Sequence, residues 1–157
     1  MDKITPCLWF DGNGEEAMNY YVSIFKNSKI KSISQYGDIG PGKKGSLLTG
    51  VFELEGRDFM VLNGGPMYKF TPAISLSVDV KTQEELDYYW DKLSSGGDIQ
   101  MCGWLVDKYG VSWQIVPSKM GEYITDKDPQ KTKRVMEAMM QMKKLDIKKL
   151  QDAYDGK

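Results

Sequence analysis

Two tyrosine pairs, Tyr20-Tyr21 and Tyr88-Tyr89, each follow an acidic, helix-like stretch, and they stand 68 positions apart. The same offset pairs Asp11 with Asp79, Glu16 with Glu84, Met18 with Leu86 and Phe25 with Leu93. A repeat of this kind means that one supersecondary unit occurs twice, which narrows the possible folds more than any composition figure. Each copy opens on a strand-like run, Ile4–Phe10 or Ile74–Val80. A helix follows near Glu15–Lys26 and Gln83–Ser95, with apolar residues three and four apart: Ala17, Met18, Tyr21 and Phe25, then Leu86, Tyr89, Trp90 and Leu93. Thr82 and Glu85 have the spacing of a capping box.

Further strands are expected at Ile30–Tyr36, Leu48–Leu54 and Phe59–Asn63, and at Gln100–Val106 and Val111–Val116, with a weaker piece near Asp98. Gly-rich punctuation separates them. The fold class is therefore α+β, two tandem βαβββ modules (about 3–65 and 72–117) in one domain of residues 1–157. The loop 37–45 (GDIGPGKKG) has four glycines and two lysines, but no helix follows it as in a phosphate-binding loop. A mobile hairpin tip is the expectation. A helical tail of about 128–155 completes the chain. Asp128 and Asp146 are its expected N-caps, Pro129 takes the first helical position, and Val135, Met136, Met139 and Met140 form a stripe suited to a core or a dimer partner.

The totals fit one domain: 157 residues, 41% hydrophobic and 27% charged, with net charge −1. Nothing points to nucleic acid. From Lys119 onward ten Lys/Arg face seven Asp/Glu, which a solvated helix surface explains. No apolar run reaches membrane-spanning length, and Met1-Asp2-Lys3-Ile4 lacks a signal-peptide pattern, so a cytoplasmic location without membrane contact is expected. Two cysteines, Cys7 and Cys102, suit that compartment as free thiols. There is no histidine, hence neither the commonest general base nor the commonest metal ligand.

The run Cys102–Pro117 (CGWLVDKYGVSWQIVP) resembles the signature of the PhnB-like, or 3-demethylubiquinone-9 3-methyltransferase-like, family of the glyoxalase/bleomycin-resistance/dioxygenase (vicinal oxygen chelate) superfamily. Thr5–Asn13, Leu62-Asn63-Gly64-Gly65-Pro66, and the tail stretches 134–139, 142–147 and 153–156 carry the same resemblance. It implies paired modules whose eight strands curl into a cup. The family label speaks of methyl transfer. The chain nevertheless lacks the alternating parallel pattern and Gly-rich turn of a nucleotide-binding sheet, so the label has little chemical weight.

Metal-dependent members of that superfamily hold a divalent ion in the cup, through residues of the first and last strands of each module. The equivalent positions here are Thr5, Ala73, Met60 and Gln114, the last two each four residues after a glycine. Two weak neutral oxygens, a thioether and a methyl group cannot hold a hard cation. No metal and no cofactor are expected.

Strand alternation turns Thr5, Cys7 and Trp9, and Ser75 and Ser77, toward the cup, where Met60, Trp104 and Gln114 join them. Cys7 is the one plausible nucleophile. Without a histidine to activate it, a small buried hydrophobe is the simpler reading. Asn63 and Gln114 either orient a polar ligand or satisfy backbone groups. Trp9, Trp104, Trp113, Phe52, Phe59 and Tyr68 are candidate aromatic walls, although most of these rings must also build the sheet–helix core. These nine residues (Thr5, Cys7, Trp9, Met60, Asn63, Ser75, Ser77, Trp104, Gln114) form the expected ligand set of a metal-free, homodimeric small-molecule-binding protein. The alternatives are an enzyme of glyoxalase or dioxygenase type and a dimeric scaffold without ligand.

Overall fold

The computed structural model describes residues 3–157. The expectation drawn from Met1 and Asp2 lies outside them. The chain divides into two compact units, one ending at Phe70 and one running from Thr71 to Lys157.

The first unit holds β1 (Cys7–Phe10), α1 (Gly14–Ile24), β2 (Ser28–Gln35), β3 (Leu47–Leu54) and β4 (Arg57–Asn63). Its sheet has the order β1-β4-β3-β2, with β1 and β4 parallel and the other pairs antiparallel. The strand expected from Ile4 begins only at Cys7. Pro6 has no N–H for the ladder, and its carbonyl instead accepts the Met60 N–H at 2.8 Å. One sheet face packs on α1. Leu8, Phe10, Phe52, Phe59 and Val61 are buried there with Ala17, Met18 and Tyr21 of the helix. The Tyr21, Phe52 and Phe59 rings stack at centroid distances of 6.3 and 5.5 Å. Gly50 lies under Met18, where a Cβ would come within 2.9 Å of the sulfur.

The loop 37–45 is the hairpin connection between the antiparallel β2 and β3. It closes around the buried Tyr36 ring, and a Cβ on Gly42 would fall 2.1 Å from that ring. The Tyr36 hydroxyl donates to the Asn63 carbonyl at 2.6 Å, and its backbone pairs with Gly45 and Ser46. Gly40 and Gly42 thus make room for a phenol.

The second unit repeats the plan with β5 (Ser75–Val80), α2 (Gln83–Ser94), β6 (Asp98–Ile99), β7 (Trp104–Val106) and β8 (Ser112–Pro117). Its order is β5-β8-β7-β6, again with the first pair parallel. The α+β, twin βαβββ reading therefore holds, with β1 and β5 starting 68 residues apart as the repeat requires. Thr82 accepts from the Glu85 N–H at 3.2 Å, and the Glu85 carboxylate accepts from the Lys81 N–H at 2.8 Å. Leu86, Trp90, Leu93, Leu105, Trp113 and Ile115 fill the space between helix and sheet.

The strand expected over Gln100–Val106 is shortened to Trp104–Val106. Cys102 and Gly103 take positive φ (61° and 80°) and turn their N–H groups toward the tail, to the carbonyls of Met142 (2.7 Å) and Lys143 (2.8 Å). The tail comprises α3 (Met120–Ile124), α4 (Pro129–Met139) and α5 (Ile147–Asp155). Asp128 and Asp146 cap α4 and α5 as expected, accepting from the Gln130 and Lys149 N–H groups. Gln83 fastens α5 to α2: its Oε1 accepts the Ile147 N–H (2.9 Å) and its Nε2 donates to the Leu145 carbonyl (3.2 Å). Of the expected methionine stripe only Val135 is fully buried, whereas Met140 is 60% exposed. Among the described residues no helix is long and apolar enough to cross a membrane.

Candidate functional site

Alternation along the strands gives each sheet a second face, turned away from its own helix. In the first unit Cys7 and Trp9 of β1 lie there, beside Met60 and Leu62 of β4, their ladder partners. Val51 and Thr49 of β3 continue the face. Cys7 is exposed, which corrects the expectation of a buried residue. Partial burial raises its thiol pKa, so it is a poorer nucleophile than an ordinary cysteine. Thr5 precedes the strand and is half-buried. The Trp9 indole N–H donates to the Gly65 carbonyl at 2.8 Å, and its ring meets Tyr68 edge-on at 4.9 Å. Gly64 permits this approach, since a Cβ there would sit 2.2 Å from the indole.

At one end of the face Lys31 reaches Asp58 (2.7 Å) and Glu53 (3.2 Å). A register shift between Ile30 and Ser32 frees it from the regular ladder. Hydrogen bonding to Lys31 holds the Asp58 carboxyl below its usual range.

The corresponding face of the second unit is neutral and polar. Ser75 and Ser77 of β5 pair with Ser112 and Gln114 of β8, and Trp104 of β7 lies opposite Gln114. Gln114 Nε2 donates to Ser75 Oγ at 2.8 Å, and its amide oxygen has no protein donor among the hydrogen bonds of the described residues. The buried Ser112 hydroxyl next to this pair also lacks a partner among the described residues.

Two expectations need correction. Asn63 does not face the ligand surface. Its Oδ1 accepts the Gly14 N–H (2.8 Å) and its Nδ2 donates to the Leu47 carbonyl (3.0 Å), so it braces the start of α1 from a position only 5% exposed. Trp113, Phe52 and Phe59 are not walls of a ligand surface either, being buried against the helices. The Trp113 indole donates to Asp107 Oδ2 at 2.8 Å. Leu62, Thr49 and Val51 belong to the first face and were missed, although alternation from Met60 and pairing with β4 would have found them.

The ladders also shift one equivalence. Cys7 pairs with Met60, and its repeat counterpart Ser75 pairs with Ser112. Met60 therefore corresponds to Ser112, and Gln114 to Leu62. The slip is two residues, so the facing of each side chain is unchanged. The corners still offer no donor set for a divalent ion, because Thr5, Met60, Leu62, Ala73, Ser112 and Gln114 contain no carboxylate, imidazole or thiolate. Among the described residues no three His, Cys, Asp or Glu side chains are grouped so as to hold a metal.

Comparison with known proteins agrees with this architecture. The family model for 3-demethylubiquinone-9 3-methyltransferase matches residues 2–116. A putative 3-demethylubiquinone-9 3-methyltransferase, PhnB protein, from Bacillus cereus is 44% identical, with a TM-score of 0.69, over 74% of this chain and 99% of that one. A protein from Pseudomonas aeruginosa shares the fold at 21% identity and a TM-score of 0.63, over 74% and 98% of the two chains. The fosfomycin resistance protein FosX from Listeria monocytogenes, complexed with Mn(II) and sulfate, shares it at 13% identity and a TM-score of 0.54, over 79% and 97%. No curated protein sequence matches the chain. The chain thus belongs to the 3-demethylubiquinone-9 3-methyltransferase, or PhnB-like, family.

Proposed function

We propose that the chain is a metal-free small-molecule-binding protein whose ligand contacts the sheet faces turned away from the helices. The observation that carries this reading is the Gln114–Ser75 hydrogen bond beside Trp104 on a half-open strand surface. A carboxamide with a spare acceptor next to an indole suits a neutral, planar ligand with a polar edge. In the first unit Cys7, Trp9 and Met60 offer an apolar surface of their own, with Thr5 at its margin. Ser77 adds a further hydroxyl beside Gln114.

Methyl transfer gains no support from the fold. Each sheet has a single parallel pair, whereas nucleotide-binding sheets of methyl-transfer enzymes are mostly parallel. Catalysis of the glyoxalase or dioxygenase type is the second reading, favoured by the FosX likeness in fold alone. A homodimer in the cytoplasm is part of the proposal, with the partly exposed Met136, Met139 and Met140 as its contact.

A thermal-shift screen over divalent metals, thiol conjugates, quinones and glycopeptide antibiotics tests the reading. One class should raise the melting temperature dose-dependently, and Gln114→Ala should shrink that rise. Purified protein holding one tightly bound divalent ion per chain, removable with loss of an activity, would sink it. A flat screen with strongly concentration-dependent stability would favour the scaffold instead.

A further inference from the structure

Between the second module and the tail lies an open groove of about 990 Å³, at the upper end of the range typical of small-molecule pockets. Its walls come from residues 80–87, 117–123 and 144–151. Its strand residues Val80 and Pro117 point to the opposite side of the sheet from Ser75, Ser77, Ser112 and Gln114, so the groove is separate from the sheet face considered above. The buried Val80, Pro117, Tyr123 and Leu150 lie behind the groove, and the half-buried Ile147 is an accessible apolar side chain of its lining.

The charges on the rim are uneven in a way that selects a ligand. Both acids are already engaged. Asp87 accepts from Gln83 (3.0 Å) and pairs with Lys144 (3.0 Å), which together hold its carboxyl below the usual range. Asp146 caps α5 and lies 3.8 Å from the Lys149 ammonium. Lys148 pairs with Asp152. Two cations remain. Lys81 and Lys119 form no ion pair among the described residues; Lys119 donates to the neutral Gln151 Oε1 at 3.2 Å and acts on the Asp155 carboxylate only from a longer range. That oxygen already accepts the Tyr123 hydroxyl at 2.7 Å. A groove with an apolar side chain at Ile147, engaged acids and two ammonium groups outside any ion pair of the described residues is complementary to an anion attached to an apolar body.

We propose that this groove binds a small amphipathic anion, its hydrocarbon portion against Ile147 and its carboxylate or phosphate at Lys81 and Lys119. Neutral molecules of the same shape gain the hydrophobic contact but not the charge-assisted hydrogen bonds. The proposal stands independently of the one for the sheet faces.

Octanoate and 1-octanol serve as the probes, titrated into the full chain by calorimetry with amide shift mapping by NMR. Octanoate should bind saturably, one per chain, with the largest shifts at residues 80–87, 117–123 and 144–151. The pair Lys81→Ala/Lys119→Ala should weaken it about tenfold or more, and Lys81→Arg/Lys119→Arg should restore it. Octanol should bind about tenfold more weakly than octanoate, and Gln114→Ala should leave octanoate binding unchanged. Failure of the wild-type chain to saturate overturns the assignment, as does equal binding of octanoate and octanol or of the wild type and the double alanine variant. Shifts centred on Ser75, Trp104 and Gln114 would likewise overturn it.

Discussion

Trp113 donates its indole N–H to the Asp107 carboxylate at 2.8 Å, and the other oxygen of that carboxylate accepts the backbone N–H groups of Tyr109 (2.8 Å) and Val111 (3.0 Å). The stretch from Asp107 to Trp113 is thus a turn organised by one acid, and the aspartate is only 3% exposed. Within the family signature Asp107 and Trp113 thus hold the turn between β7 and β8, whereas Trp104 stands opposite Gln114 on the other face of the sheet.

Replacing that acid exposes the dependence. Asp107→Ala strands three donors in a buried site and should cost about 3 kcal/mol or more, while Asp107→Asn, which keeps one acceptor, should cost roughly half as much. Urea unfolding followed by tryptophan fluorescence measures both. Equal stability of Asp107→Ala and the wild type would refute the brace.

Gly64 offers a second test. A methyl group there would lie 2.2 Å from the Trp9 ring, so Gly64→Ala should displace the indole from Tyr68 and Gly65. The expected cost is about 1–3 kcal/mol, with a red-shifted emission component from Trp9. An unchanged spectrum would mean that the ring is not held there.

The legibility of the chain divides along the same line. The repeat revealed the two modules because equivalent elements must bury equivalent faces, and β1 and β5 keep their offset of 68. Alternation correctly grouped Cys7 with Trp9 and Ser75 with Ser77. For Asn63 the sequence left two readings open, and the backbone one holds, because Gly12, Gly14 and Leu47, far away in sequence, claim its amide. Trp113 was misread because aromatic character alone does not say which face is covered. The groove was invisible, since its lysines gain meaning only where the tail brings α5 against the second module.

The Asp126–Tyr154 hydrogen bond sets an expectation for pH. Tyr154 is pushed up to about 12, first by that bond, and Asp126 is lowered by the same contact. The raised tyrosine stabilises the fold fully below its unfolded pKa of about 10, and this is lost as pH rises toward 12. The lowered aspartate contributes above about 3.9 and is lost as pH falls through its folded value. Tyr154→Phe should therefore flatten the stability profile between about pH 10 and 12, as measured by chemical denaturation. A profile identical to the wild type would exclude the coupling.

Gly103→Ala should loosen the tail. At φ 80° a side chain is strained, and its Cβ would approach the Ile115 carbonyl at 2.9 Å and Leu145 at 3.0 Å. A loss of about 2 kcal/mol is expected, together with new protease cleavage near residues 140–146. Resistance equal to that of the wild type would count against the clamp.

The clamp itself is made of main chain. Cys102 and Gly103 offer N–H groups to two carbonyls, so the contact is indifferent to which side chains stand at Met142 and Lys143. A mutational scan that swaps side chains across 142–143 would report a permissive, unimportant stretch. Only a proline at 102 or 103, which removes a donor, or a deletion that shifts the carbonyls out of step, would disclose it. Tolerance to substitution at such a segment marks a structural joint whose code is written in peptide bonds.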